Sequence, residues 1–303
     1  MMNITLRQLR YFEALAQQGH FGRAAELAAV SQPALSVQIK ELEASLGLPL
    51  FERGARMVQL TGFGEEFRLR AQEILRAVDE LGDLARAAGP GLAGQLRLGV
   101  IPTMAPYLLP QVVTGLGARY PQIEFRIRET QTQHLIRALQ GGQLDTAIMA
   151  LPVGEAGFVE HPLFDEEFVL VRPASDAGLP VPSRDMLREM QLLLLEEGHC
   201  FRDQALSFCE LRPSQPREVM DGSSLSTLVQ MVNAGLGVTL LPQMAVPVET
   251  RSADVSIAQF EGDKPQRRVG MVWRATNPMG DKLRAVAADI QEILNVAPLA
   301  RGL

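Results

Sequence analysis

The sequence predicts an α/β body of two lobes preceded by an all-α winged helix-turn-helix domain and a linker helix. Three observations predict it. Apolar residues recur at helical spacing through residues 6–88. From Gln95 onward short apolar strands alternate with amphipathic helices, the pattern of an α/β sheet. A length of 303 residues exceeds what one core of typical size encloses, so two or three units are expected.

Residues 6–17 read as a helix with Leu6, Leu9, Phe12 and Ala16 on one face. After Gly19, residues 21–28 read as a short helix and Ala29-Val30 as a turn. Ser31 is a natural N-cap, and Pro33 falls in the first turn, where its missing N–H costs nothing. The next helix runs from Gln32 to about Leu46, with Leu35, Ile39, Leu42 and Leu46 in one stripe, and Gly47 ends it. Two short helices across a tight turn, the second capped and amphipathic, make a helix-turn-helix. Residues 50–61, with Gly54 at the tip, read as a hairpin and hence a wing, closing a first domain at 1–61.

A long helix over 62–88 puts Phe67, Ala71, Ile74, Val78, Leu81, Ala85 and Ala88 on a heptad seam. It reads as a dimerising coiled coil or as a helix packed on its own domain. Residues 87–94 (AAGPGLAG) read as a hinge, so 62–94 form the linker. The remainder, 95–303, divides into lobe I (about 95–165 and 270–303) and lobe II (about 166–269). Its strands are QLRLGVI, IEFRIRET, TAIMAL, FVLVRP, LLLLEE, VTLLP and VGMVWR, with parallel pairing expected. The cleft between the lobes is the default ligand site.

Composition narrows the function. Net charge is −6, which excludes a protein that coats nucleic acid through bulk charge. The first sixty residues carry six basic groups (Arg7, Arg10, Arg23, Lys40, Arg53, Arg56) against five acidic ones, so phosphate contact must come from local placement. No run of 18 apolar residues occurs, and the start MMNITLRQLRYFEAL lacks the pattern of a signal peptide. A cytoplasmic protein with no membrane association is expected. No catalytic constellation, metal site or cofactor is expected either.

On the helix beginning at Gln32 the side opposite the apolar stripe shows Pro33, Ser36, Val37 and Lys40, with Gln32 at the tip. Gln bridges an adenine edge, Ser serves any base, Val suits a thymine methyl, and Lys reaches phosphate or guanine. Arg53 and Arg56 on the wing suit phosphate or the minor groove. The stretch QLRYFEALAQQGHFGRAAELAAVSQPALSVQIKELEASLGLPLFER resembles the DNA-binding domain of LysR-type transcription regulators, and the likeness extends over the whole chain. It implies a periplasmic-binding-protein-like effector body and a homodimer or homotetramer on double-stranded promoter DNA. RNA polymerase is a further implied partner. Gln32, Pro33, Ser36 and Arg53 match DNA-contacting positions, whereas Val37 stands where polar or basic residues are common.

The segment EEGHCFRDQALSFCELR holds both cysteines, Cys200 and Cys209. A structural disulfide is not expected in a reducing cytosol; metal binding, redox chemistry and coincidence all remain open. If one helix joined them, nine steps of ~100° would put the sulfurs on opposite faces, ~13.5 Å apart along the axis. A disulfide needs Cα atoms within ~7 Å, so pairing would require remodelling that helix. Cys200 at a helix start, near His199 and Arg202, is expected to favour thiolate. A thiolate attacks peroxide to give a sulfenic acid, which a second cysteine traps. Two inert buried cysteines are the alternative, and a zinc site is disfavoured by the spacing.

GHCFRDQALSFC, with IPTMAPYLLP, ETQTQHL, LFDE and TLLPQMAVP, is similar to the hydrogen-peroxide-sensing OxyR branch of that family. The resemblance implies that Cys200 reacts with hydrogen peroxide and Cys209 resolves it, with a cytosolic dithiol as reductant. It places His199, Arg202 and Asp203 beside the thiol, Asp203 as a proton route, and Thr103 and Thr132 in the peroxide pocket. It assigns a pocket arginine to Arg267 or, by a one-residue shift, Arg268. The rival readings are a LysR-type regulator binding a small metabolite in the interlobe cleft, a thiol peroxidase with a DNA-binding appendage, and a purely structural DNA-binding protein.

Overall fold

A computed structural model describes residues 4–52, 58–89, 91–209, 221–262 and 264–296. The chain forms two compact units that meet in sequence at Asp83 and Leu84.

In the first unit α1 (Leu6–Gln18), α2 (Phe21–Leu27) and α3 (Gln32–Leu46) surround Leu9, Phe12, Leu15, Leu35, Ile39 and Leu42. Each such buried side chain contributes about 1.5–3 kcal/mol. Local chemistry fixes the helix ends. Thr5 and Gln8 form a reciprocal capping box on α1. The His20 Nδ1 accepts the Gly22 amide at 3.0 Å to start α2, and the Ser31 hydroxyl accepts the Ala34 amide at 3.4 Å to start α3. Gly47 closes α3 with φ 72°, a value glycine adopts without strain. The turn between α2 and α3 turns on Ala29 at φ 52°. Leu46, expected on the apolar stripe, is only half-buried.

The wing begins as expected: Phe51 bridges Leu60 antiparallel, and Glu43 of α3 accepts the amides of Leu50 (2.8 Å) and Phe51 (3.2 Å). Its tip, with Arg53, Gly54 and Arg56, lies outside the described residues. The long helix α4 (Gly62–Ala88) packs its first half on its own domain, the second of the two expected roles. Phe63, Phe67, Ala71 and Leu75 pack on the first unit's core. Further along, Ile74, Leu81 and Leu84 are at least half exposed or nearly so, at 48, 64 and 52%.

The second unit begins with β1 (Gly94–Val100), α5 (Ala105–Arg119), β2 (Ile123–Glu129), α6 (Thr132–Gln140) and β3 (Thr146–Leu151). There follow β4 (Phe158–Pro173), α7 (Arg184–Glu189), β5 (Leu194–Leu195), α8 (Cys200–Phe208), β6 (Asp221–Gly222) and α9 (Leu225–Asn233). The chain continues through β7 (Thr239–Pro242), α10 (Val246–Glu249), β8 (Val255–Ala258), β9 (Gln266–Arg274) and α11 (Gly280–Val296). The main sheet runs β2-β1-β3-β9-β4-β7, with β8 also on β4 and a separate β5-β6 pair. Only β1–β2, β1–β3 and β5–β6 are parallel; β3–β9 and every pairing of β4 are antiparallel. The expectation of parallel sheets is corrected accordingly.

The strand at FVLVRP is also longer than expected, reaching back to Phe158. The stretch before Phe168 carries Pro162 and five charged or ionisable residues (Glu160, His161, Asp165, Glu166, Glu167) that mask the alternation, and a register shift between Pro162 and Phe164 absorbs the proline. Near Glu167 and Phe168, β4 exchanges β9 for β7 and β8 as partners. It thereby runs through both halves of a continuous apolar core.

Packing at the foot of α4 yields one expectation. A Cβ on Gly64 would stand 2.2 Å from the Leu50 carbonyl oxygen, whereas one on Gly62 would meet nothing within 4 Å. Gly64→Ala is expected to cost about 1–3 kcal/mol, read as a lower melting transition of the first unit by calorimetry, while Gly62→Ala leaves that transition near its original temperature.

Candidate functional site

Helix α8 places the two cysteines. Cys200 is its first residue and Cys209 its C-cap, whose amide donates to the Ala205 carbonyl. The sulfurs therefore project from opposite sides, and both thiols are free. Gly198 before the helix has φ 94°, and a Cβ there would stand 2.5 Å from Gln131 Oε1. The positive φ favours glycine there, and Gln131 also donates to the Glu197 carbonyl at 3.4 Å.

Across from Cys200 stands Thr132, the first residue of α6. Its Oγ1 is buried and has no hydrogen-bond partner of ordinary geometry, yet it lies close enough to the sulfur to favour the charged thiol. Burial nevertheless dominates and pushes the Cys200 thiol up. Thr132, the Arg267 charge and the helix-start amide pull it down, and Asp203 adds to the rise. The expected thiolate preference is thus corrected: desolvation outweighs the helix terminus. His199 does not supply a cation, because burial lowers its pKa. Arg202 donates to the Leu195 carbonyl at 2.7 Å and Asp221 at 2.6 Å, tying α8 to β5 and β6. Asp203 is exposed and acts on the thiol only through its charge, so the expected proton route through it has no hydrogen bond behind it.

Of the two candidate arginines, Arg267 is the buried one. Its Nη1 and Nη2 donate to Thr103 Oγ1 (2.8 Å) and the Thr103 carbonyl (3.1 Å), and its Nε donates to Glu166 at 2.7 Å. The guanidinium also lies 5.9 Å from the ring centres of Phe168 and Phe201. Arg268 points the other way and pairs with Asp165 at the surface. Cys209 is fully buried, and burial pushes its thiol up to about 11 against the pull of Arg184 and Arg188. No group of three His, Cys, Asp or Glu residues suited to a metal occurs among the described residues.

At the other end of the chain, α3 presents Gln32, Pro33, Val37 and Lys40 to solvent, with Ser36 half-buried. Val37 is 51% exposed, a hydrophobe held on a polar face. Residues 6–65 match the family described as bacterial regulatory helix-turn-helix protein, lysR family, and residues 89–294 match the LysR substrate binding domain. The chain belongs to the LysR family.

Within this family the chain is 44% identical over 302 residues to a probable hydrogen peroxide-inducible genes activator of Streptomyces viridosporus, covering 97% of this chain and 96% of that one. It is 39% identical over 292 residues to the DNA-binding transcriptional dual regulator OxyR of Escherichia coli K12, covering 95% of each. Full-length OxyR of Pseudomonas aeruginosa, with a cysteine-to-aspartate substitution, superposes with TM-score 0.74 at 39% identity over 96% of both chains. A hydrogen-peroxide-bound OxyR mutant of Corynebacterium glutamicum gives TM-score 0.66 at 38% identity, covering 98% of this chain and 95% of that one.

Three residues of this LysR-family site escape a reading of motifs. Glu166 is the buried counter-ion of Arg267 and also accepts the Met244 amide at 3.0 Å. It shares the inward side of β4 with Phe168, so a carboxylate on a period-two apolar face was the available signal. Tyr107 of α5 donates to Glu249 of α10 at 2.6 Å, a link that only the tertiary fold creates. Because burial raises the Cys200 pKa, its alkylation by iodoacetamide in a Cys209→Ser background is expected to reach half-maximal rate at a higher pH than free cysteine. Thr132→Val should move that midpoint further up; a midpoint at or below the free thiol's would contradict the stated balance.

Proposed function

We propose that this chain is a peroxide-sensing DNA-binding transcription regulator switched by oxidation of Cys200 and its pairing with Cys209. One observation carries the reading. A half-buried thiol at a helix start faces an unpartnered hydroxyl and a buried guanidinium, and a second, fully buried thiol waits at the far end of the same helix. The Thr132 hydroxyl supplies a hydrogen-bonding group for a small polar oxidant, and the Arg267 charge supports negative charge on sulfur.

The chemistry balances with hydrogen peroxide as oxidant. The Cys200 sulfur takes one peroxide oxygen as the O–O bond breaks, and the thiol proton leaves with the other oxygen as water. The Cys209 sulfur then displaces the hydroxyl of the sulfenic acid, forming the S–S bond and releasing a second water. A cytosolic dithiol returns both thiols by exchange.

Helix α8 cannot survive that bond, since its ends stand ~13.5 Å apart and a disulfide brings Cα atoms within ~7 Å. Remodelling of α8 is the event that alters promoter binding. Gln32, Pro33, Ser36, Val37 and Lys40 form the base-reading face, with Arg53 and Arg56 as wing contacts. A reading unit of near-neutral charge binds weakly alone, so copies pair through the exposed Ile74, Leu81 and Leu84 of α4. The assembly is a homodimer or homotetramer.

The test is thiol mapping by mass spectrometry after a brief low-peroxide pulse, with a footprint on promoter DNA before and after. A Cys200–Cys209 bond and a changed footprint are expected, and Cys200→Ser should hold the reduced footprint. Absence of the bond, while a peroxide-sensitive control oxidises, contradicts the reading.

A further inference from the structure

The far end of α8 is fastened to α7. Arg188 donates its Nε–H to the Cys209 carbonyl at 2.9 Å. That carbonyl belongs to the helix's last turn, where acceptors lack intrahelical partners and the helix dipole favours a cation. One turn earlier on α7, the Arg184 guanidinium stacks 4.6 Å above the Phe208 ring. Phe208 in turn packs edge-on against Phe260 at 5.3 Å. The clasp is itself anchored, because Leu187 of α7 is fully buried and Ser183 caps the helix through the Met186 amide.

We propose that Arg188 is a positioning residue for the resolving cysteine, a latch that holds Cys209 in the reduced fold and opposes disulfide formation. This inference rests on the thiol switch proposed above. The latch assigns the movement to the C-terminal end of α8: bringing the Cα atoms of Cys200 and Cys209 from ~13.5 Å to within ~7 Å then carries the Cys209 carbonyl several ångströms. An anchored α7 cannot follow, so the 2.9 Å bond is broken whenever the disulfide is made. The latch thereby belongs to the reduced state alone, and its free energy shifts the thiol–disulfide equilibrium by mass action. Arg188 also pairs with the exposed Asp185 at 3.0 Å through Nη1, leaving Nε on the Cys209 carbonyl.

Two substitutions separate the hydrogen bond from the charge. Arg188→Met reaches as far as the arginine Nε and removes both donor and charge. Arg188→Gln places an amide N–H at the same distance along the side chain as the arginine Nε, without the charge. The full-length chain and each variant are equilibrated in buffers of reduced and oxidised dithiothreitol, and the Cys200–Cys209 disulfide is quantified by mass spectrometry.

Arg188→Met is expected to raise the equilibrium constant for the disulfide by about tenfold, the effect of losing one hydrogen bond to a charged donor. Arg188→Gln should stay within a few-fold of the unmodified chain. The rate of Cys200 oxidation by peroxide, measured in a Cys209→Ser background, should be unchanged by either, which a general loosening of the fold would not leave intact. Arg188→Ala repeats the test with a helix-favouring residue. An unchanged constant for Arg188→Met and Arg188→Ala overturns the latch, as does equal behaviour of Gln and Met. If the unmodified chain forms no Cys200–Cys209 disulfide in any buffer, the thiol switch itself fails, a result distinct from failure of the latch.

Discussion

The helix from Cys200 to Phe208 is the constraint on which the site depends. Its geometry holds two thiols on opposite sides and ~13.5 Å apart along its axis. Neither sulfur can reach the other while its backbone hydrogen bonds stand. Three contacts hold that helix: the Gly198 approach to Gln131 before it, the Arg202 tie to β5 and β6 from its first turn, and the Arg188 bond at its far end. The helix separates the two cysteines, so a bond between them requires the helix to be remodelled.

Electrostatics at the site is a balance in which burial wins. A thiol removed from water resists ionisation, and Arg267, whose positive charge pulls the other way, is already engaged by Glu166. Removing one partner of such a buried pair typically costs about 3–5 kcal/mol, because the other charge is left uncompensated. Glu166 thus fixes the guanidinium against Thr103 and beside the paired rings of Phe168 and Phe201. Burial raises the thiol's pKa, and among the described residues Thr132 is the buried hydroxyl there that lacks an ordinary partner.

Much of this was legible in the sequence, for physical reasons. Ser31, Pro33 and Gly47 bracket α3 because capping chemistry is local, and the structure begins and ends that helix within a residue of them. The helical phase between Cys200 and Cys209 follows from spacing alone once the segment is a helix. Long-range facts were not legible. Antiparallel pairing of β3 with β9 depends on a strand more than a hundred residues away. The choice between Arg267 and Arg268 depends on which face of β9 is buried, and Arg267 faces Thr103 and Glu166 while Arg268 faces solvent and Asp165. Desolvation of Cys200 was misjudged because sequence neighbours such as His199 and Arg202 suggest cations, whereas folding buries the first as a neutral base and sends the second to Asp221.

The most direct measurement is hydrogen exchange at the amides of residues 204–209 in the reduced and the disulfide-bonded full-length chain. In the reduced chain these amides close the turns of α8, ending with Cys209 on the Ala205 carbonyl, and should exchange slowly. Formation of the Cys200–Cys209 bond is expected to remove that protection. Equal protection in both forms, with the bond verified, would show that the helix survives pairing and would contradict the account.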